Sequence, residues 1–305
     1  MSLVAGTPAE LRAGGAPVEL RAGGVPVELR AGGATAVILP EQGAAFARLA
    51  VDGRDLLVPV PPGADPNTGF RGSFLMAPWT NRLDGGRIVV AGVEHRMPIN
   101  RPAEDNALHG FLREMAWNVV EADAGRVLLD CRFDRAPFAG TATLAATLAA
   151  DHLSLDVTLT NGAAGPVPMG FGWHPYFPRP AGTRLRAAAR IAFGRDARNL
   201  PVSPRPSDDV HGAEGALDTL DGHFAGWDGA AEITWPDGAA LVLRATGAWA
   251  SNLQVFAPPQ ASVLAVEPVS HAPDAPNRAE AAAHGPMHVL APGETLACSL
   301  MIHWR

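Results

Sequence analysis

The feature that most constrains this chain is an alternation of apolar and polar residues with a period of two. In HLSLDVTLTN, residues 152–161, Leu153, Leu155, Val157 and Leu159 fall on one face, and Ser154, Asp156, Thr158 and Thr160 on the other. TLACSLMIHW, residues 295–304, repeats the pattern with Leu296, Cys298, Leu300, Ile302 and Trp304. Successive side chains of a strand point to opposite faces, so each run makes a strand with one buried face. RVLLDCRF and ALVLRATG are further strand-like runs, and all of them end near Gly, Pro, Asp or Asn. DGG at 84–86 and PDG at 236–238 read as hairpin turns. Helical signals are few: FARLA at 46–50 and NRAEAAAHG at 277–285 are each long enough for a turn or two. Many short strands without βαβ alternation predict an all-β fold, a large antiparallel sandwich.

A chain of 305 residues that is 47% hydrophobic can bury the core of one such domain. At its start LRAGG occurs three times, at 11–15, 20–24 and 29–33, a period too short for a solenoid. Only the last copy is expected to join the fold, leading into TAVILPEQGA, with the preceding residues either mobile or pairing as an added edge strand. We therefore divide the chain into an N-terminal extension, 1–33, and a single β-sandwich domain, 34–305. The polar, Pro-rich segment 196–230 reads as a long loop of the kind that forms a lid or site wall.

Composition excludes several function classes. The 31 acidic and 24 basic residues give a net charge of -7, and no basic stripe suggests a nucleic-acid partner. No apolar run approaches the roughly 18 residues that span a bilayer, and the N-terminus lacks a signal-peptide pattern, so a cytoplasmic protein is expected. Cys131 and Cys298 stand far apart among apolar neighbours and read as reduced core thiols. The ten histidines show no HxH, HExxH or other metal-ligand spacing, so no metal is expected. His211 and His223 read as loop residues, and His284 and His288 flank a Gly-Pro. There is no GxSxG elbow, P-loop or dinucleotide fingerprint.

What remains is a set of polar groups in aromatic or Pro-Gly settings. GFGWHPYF, residues 170–177, holds His174 between Trp173 and Pro175, beside the chain's one tyrosine, Tyr176. WTNRLDGGR carries Asn81 and Arg82, NALHGFLRE carries His109, LDGHFAGW carries Asp221, and NLQVFAP carries Gln254. Each of these has a structural alternative: a satisfied histidine, a turn aspartate, a surface ion pair, an amide serving the backbone. Glu267 is harder to explain that way. It ends the apolar run SVLAVEP, and a buried carboxylate requires a partner or a chemical role.

Taken together these pieces resemble the aldose 1-epimerase family, the galactose mutarotases. The motifs stand in the family's order: Asn81-Arg82 before a Gly-rich turn, Leu108-His109-Gly110, His174-Pro175-Tyr176-Phe177, Leu220-Asp221 with Phe224, Gln254 with Phe256, and Glu267-Pro268 followed by Pro273-Asp274-Ala275. The match runs over roughly residues 34 to 305. The resemblance implies a β-supersandwich with an open sugar cleft, and interconversion of the α and β anomers of a free aldose without metal or organic cofactor. It implies Glu267 as general base at the O1 hydroxyl and His174 as general acid at the ring oxygen, on opposite sides of the sugar. Arg82, His109, Asp221 and Gln254 would hold sugar hydroxyls, and Asn81 would support Arg82. The implied partner is a small-molecule sugar, bound by a monomer or homodimer.

HGFLREMAW departs from the double glycine of the best-known galactose mutarotases. It also resembles the hexose-6-phosphate 1-epimerase branch, where arginines meet a phosphate. Arg113 and Arg179 are the candidates for that contact, set against a default reading of both as solvated surface residues. A non-catalytic carbohydrate-binding module is the alternative of a different class, although both proton-transfer residues are present. A hydrolase would require two opposed carboxylates, and only Glu267 is placed by motif, with Asp221 a distant second.

Overall fold

The computed structural model describes residues 25–211 and 217–305. Two large sheets, with every strand pairing antiparallel, enclose one apolar core. The nine-stranded sheet is built around Arg126–Arg135, Phe138–Leu148, His152–Asn161 and Thr295–Trp304, paired in that order. Its inner face carries the alternation read from sequence: Leu153, Leu155, Val157 and Leu159, with Leu296, Cys298, Leu300 and Ile302, are buried. Trp304 at the end of that stripe is only half-buried, with its indole N–H donated to the Ala150 carbonyl. Cys131 and Cys298 are free, buried thiols.

The twelve-stranded sheet carries the site. Its main path runs Val27–Ala31, Ala34–Leu39, Ala45–Val51, Ser73–Met76, Gly172–Pro175, Val263–Val269, Asn252–Phe256, Asp221–Ala225, Ile191–Arg195 and Pro201–Pro206. The third LRAGG copy forms the edge strand Val27–Ala31 and its turn, while the first two copies lie outside the described residues.

Val263–Val269 is buried along its whole length, so both faces of the strand are covered. Period two sorts its side chains. Leu264 and Val266 join the core between the sheets, whereas Val263, Ala265 and Val269 pack with Phe74, Met76 and Tyr176 in a second cluster on the opposite face. Glu267 is in phase with that second set.

Three sequence expectations need correction. FARLA is strand, not helix: it lies in Ala45–Val51. A β-bulge at Ala47 places Phe46 opposite Ile38 and Arg48 opposite Val37, so Phe46 and Leu49 both reach the core although three residues apart. The bulge thus imitates a helical period. DGG turns the chain, but the strands on either side do not pair with each other. Arg82–Asp84 pairs with Asn106–Leu108, and Arg87–Val90 with Val93–Arg96. The segment 196–230 is not one continuous loop: it contains the strands Pro201–Pro206, Val210–His211 and Asp221–Ala225. Pro201–Pro206 forms the sheet's edge, where missing N–H groups cost little, and Asp221–Ala225 lies well inside it. PDG does close a hairpin, between Ala230–Thr234 and Ala240–Gly247, and NRAEAAAHG contributes the one-turn helix Ala279–Ala282.

Candidate functional site

Strand register assembles a row of side chains across the twelve-stranded sheet. Phe74 lies opposite His174, Glu267 opposite Gln254, and Gln254 opposite His223. Gly172 pairs with Val269, which two residues further along brings His174 across from Glu267. Directly opposed residues share a face, so Phe74, His174, Glu267, Gln254 and His223 form one line on the side away from the main core. The central contact is between His174 and Glu267, whose Nε2 and Oε1 are 3.3 Å apart. Both side chains are buried, at 4% and 1% residue exposure, and Glu267 Oε2 is a buried oxygen with no partner.

Of the aromatic residues in GFGWHPYF, Tyr176 forms the wall beside this pair, together with Phe74 and His109. His174 stacks on Phe74 at 4.7 Å and packs against Tyr176 at 4.6 Å. His109 meets the His174 ring edge-on at 5.2 Å. Trp173 points the other way, into the main core.

Asn81, Arg82 and His109 arrive from the small Arg82–Asp84/Asn106–Leu108 ladder, where Arg82 lies opposite Leu108. Asn81 has φ 53°, and its Oδ1 accepts both the Arg82 backbone N–H (3.0 Å) and Arg82 Nη1 (3.1 Å). Its expected support of Arg82 is therefore a direct hydrogen bond. His109 has φ 67° and donates its backbone N–H to the Asn81 carbonyl at 2.8 Å. Gly110 follows because nothing larger fits: φ is 66°, and a Cβ would lie 2.0 Å from the Ala77 carbonyl oxygen.

Several residues not singled out from the sequence hold these groups. Glu104 grips the Arg82 guanidinium through two contacts, 2.7 and 3.3 Å, and receives Asn199 Nδ2 at 3.0 Å. Arg195 forms an ion pair with Asp221, whose other oxygen accepts Gln254 Nε2 at 2.8 Å. Asp274, fully buried, donates its N–H to the Arg82 carbonyl and accepts the Asp84 N–H and Arg278 Nε. His271 accepts the Thr80 N–H at Nε2 (3.1 Å) and lies 2.8 Å from the Ala272 carbonyl at Nδ1.

His223 corrects the sequence reading. It lies in the strand Asp221–Ala225, not a loop, and is 3% exposed. A signal was available: a residue two positions from Asp221 on a strand shares its face. A narrow cleft is lined by Asn81, Arg82, Asp221, His223 and Gln254, together with Phe193, Arg195 and their neighbours. His174, Glu267 and His109 do not line it but adjoin it through Gln254 and Arg82. A larger concavity around Arg179 and Ser262 contains none of the candidate catalytic or sugar-binding residues.

Burial governs the electrostatics. It pushes the Glu267 carboxyl well above the usual range, helped by the charge of Asp221 and opposed by Arg82. It pushes His174 down to about 3, with the Arg113 charge adding to the effect. His109 is held well below its ordinary value by burial, then by the charges of His174, Arg113, Arg82 and Arg101. Burial therefore favours the neutral forms of both imidazoles and of Glu267. The residues expected as acid and base touch each other, where the resemblance had placed them on opposite sides of a sugar, because adjacent strands project them from one face. Among the described residues no group of three or more His, Cys, Asp or Glu has metal-holding geometry. No helix among them is long and apolar enough to cross a membrane.

This architecture has known counterparts. A structure from Escherichia coli K12, provisionally assigned as an aldose 1-epimerase, superposes with a TM-score of 0.82 at 26% identity, over 93% of this chain and 99% of that one. A galactose mutarotase-like protein from Clostridium acetobutylicum gives 0.81 at 17% identity, over 92% and 95%. By sequence the chain is 29% identical to the uncharacterised E. coli K12 protein YphB over 248 residues, 76% of this chain and 83% of YphB. The family model for aldose 1-epimerase matches residues 26–303, a span that includes the edge strand as well as every candidate site residue. With its sandwich, its motif order and this match in agreement, the chain belongs to the aldose 1-epimerase family.

Proposed function

We propose that the protein is a mutarotase, interconverting the α and β anomers of a free aldose by acid–base ring opening. The observation that carries the reading is the buried Glu267–His174 pair, 3.3 Å apart, with Glu267 Oε2 buried and unpartnered. Burial favours a pair that holds one proton, on Glu267. Its transfer from Glu267 to His174 gives a carboxylate and an imidazolium without changing the proton count. The carboxylate then takes the O1 proton as His174 protonates the ring oxygen and the C1–O bond breaks. Rotation about C1–C2 and closure on the other face of the aldehyde return both protons. Each such group typically contributes about 10²–10⁴-fold. Arg82, His109, Asp221 and Gln254 bind hydroxyls and hold the open chain. The test is anomer exchange of fresh α-galactose, α-glucose and L-arabinose, followed by NMR or polarimetry. Acceleration that vanishes in Glu267→Gln supports the reading, and equal rates in both proteins refute it.

A second reading, an anionic sugar such as a hexose phosphate, is favoured by Arg113. Neither Arg113 nor Arg179 is the solvated surface residue expected from sequence. Arg179 is consumed by Asp218 and by the carbonyls of Val263, Pro258 and Ala261. Arg113 lies 4.3 Å over the Phe74 ring, donates to the Asn67 carbonyl, and has a buried Nε without a partner. Its charge reaches His174, His109 and Tyr176. Adding glucose 6-phosphate to the sugar panel separates the two readings.

A further inference from the structure

We propose that His223 is a specificity-determining residue of this cleft, whose Nδ1 accepts a hydrogen bond from a sugar hydroxyl remote from C1. The inference rests on the mutarotase reading and adds to it a requirement for a donor at one ring position.

Placement is the first support. His223 shares its face with Gln254 and Glu267 through direct cross-strand pairing, and it lines the same cleft as Arg82 and Asp221. It lies two strands from Glu267, roughly 10 Å across the sheet. A sugar whose C1 sits at Glu267 and His174 therefore turns its far carbons, not O1 or the ring oxygen, toward His223.

Hydrogen bonding sets the tautomer. Nε2 is 3.1 Å from Asn252 Oδ1, and Asn252 Nδ2 donates to Ser251 Oγ at 3.2 Å, which turns the amide oxygen toward the ring. Nε2 therefore carries the hydrogen, and Nδ1 presents a lone pair. Phe193 packs on the imidazole at 5.4 Å and fixes its plane. Burial disfavours protonation, and the charge of His271 acts in the same sense, outweighing the opposing effect of the neighbouring Asn252 and Gln254 side chains. The ring is thus a neutral acceptor.

Nδ1 itself is buried and has no hydrogen-bond partner. Buried acceptors are rarely left unpaired in a folded protein, because water has been removed without replacement. This one lies in a residue that lines a cleft among Asn81, Arg82, Asp221 and Gln254, all of which are hydrogen-bonded. An incoming hydroxyl is the donor that completes the set. A site built to accept such a hydrogen bond discriminates against a sugar lacking it, because the acceptor is then desolvated and unpaired.

The experiment pairs variants with deoxy sugars. His223→Gln places an amide near the Nε2 position, keeping a donor for Asn252 and removing the Nδ1 acceptor. His223→Asn places an amide near Nδ1 and preserves an acceptor there. Anomer exchange is measured for galactose, glucose and their 2-, 3-, 4- and 6-deoxy derivatives. The wild type should lose about 10- to 100-fold in kcat/KM, mainly through KM, for one deoxy sugar. His223→Gln should not distinguish that sugar from its parent, and His223→Asn should. Full retention of the wild-type deoxy pattern by His223→Gln overturns the proposal. A direct readout keeps it separate from the mutarotase reading: imidazole ¹⁵N spectra report whether His223 Nδ1 is unprotonated and whether its shift moves when galactose or glucose is added. No movement at saturating sugar overturns the proposal even if exchange is catalysed. A shift without exchange supports His223 and refutes the mutarotase reading.

Discussion

Acidification should destabilise this protein through buried histidines, and His271 offers a clean measurement. The ring is fully buried, its Nε2 accepts the Thr80 N–H, and its Nδ1 serves the Ala272 carbonyl. Protonation of Nε2 would break the Thr80 bond, which anchors the chain just before Asn81 and Arg82. Burial holds its pKa at about 4, against an ordinary value of 6.5. A depressed pKa means that the unfolded chain takes up a proton the native protein refuses. The stabilisation is present above 6.5 and is lost as pH falls toward 4. Integrated from pH 7 to pH 5, this one residue costs about 2 kcal/mol, a sizeable part of the roughly 5–15 kcal/mol that holds a domain folded. His271→Gln retains an acceptor for Thr80 and removes the titration. Urea unfolding at both pH values should show that the variant loses about 2 kcal/mol less than the wild type over this interval. Other titrating groups, including the raised Glu267, are common to both proteins and cancel in the difference. Equal losses would mean that His271 takes up its proton in the native state, and the reasoning from burial would fail.

The remaining predictions concern the site. His174→Asn and Glu267→Gln should each abolish most anomer exchange without additive loss in the double variant, since the pair works as one unit; rates for the three proteins test this. Because burial raises the Glu267 pKa, the pair should keep its proton to higher pH than an ordinary carboxylate would, and kcat/KM should fall as that raised group titrates, which a pH–rate profile checks. Glu104→Gln should reduce kcat/KM about tenfold by loosening Arg82, with the melting curve little changed. Asp274→Ala removes the buried carboxylate that accepts the Asp84 N–H and Arg278 Nε and should cost about 2–3 kcal/mol in denaturant unfolding.

The fold class was legible because a strand buried on one face prints its period directly in the residues, as in His152–Asn161 and Thr295–Trp304. The candidate residues were legible through the order of their motifs. Local reading failed where a long-range partner decided the outcome. FARLA looked helical because a bulge, defined only by pairing with Ala34–Leu39, reset the inward phase. The segment 196–230 looked like a loop because its prolines break the alternation, yet a sheet edge tolerates prolines, and Asp221–Ala225 finds partners on both sides.

By itself, then, the amino-acid order determined that the chain is a sandwich, and its family motifs marked Glu267 and His174 as the candidate base and acid. Their meeting at 3.3 Å was decided by tertiary structure, because it depends on the register of Val263–Val269 against Gly172–Pro175, residues about ninety positions apart. The same holds for the neutrality of the pair, since burial is a property of everything packed around a group. It holds as well for His223, whose strand, orientation and unpaired nitrogen exist only once Asn252 and Gln254 lie beside it.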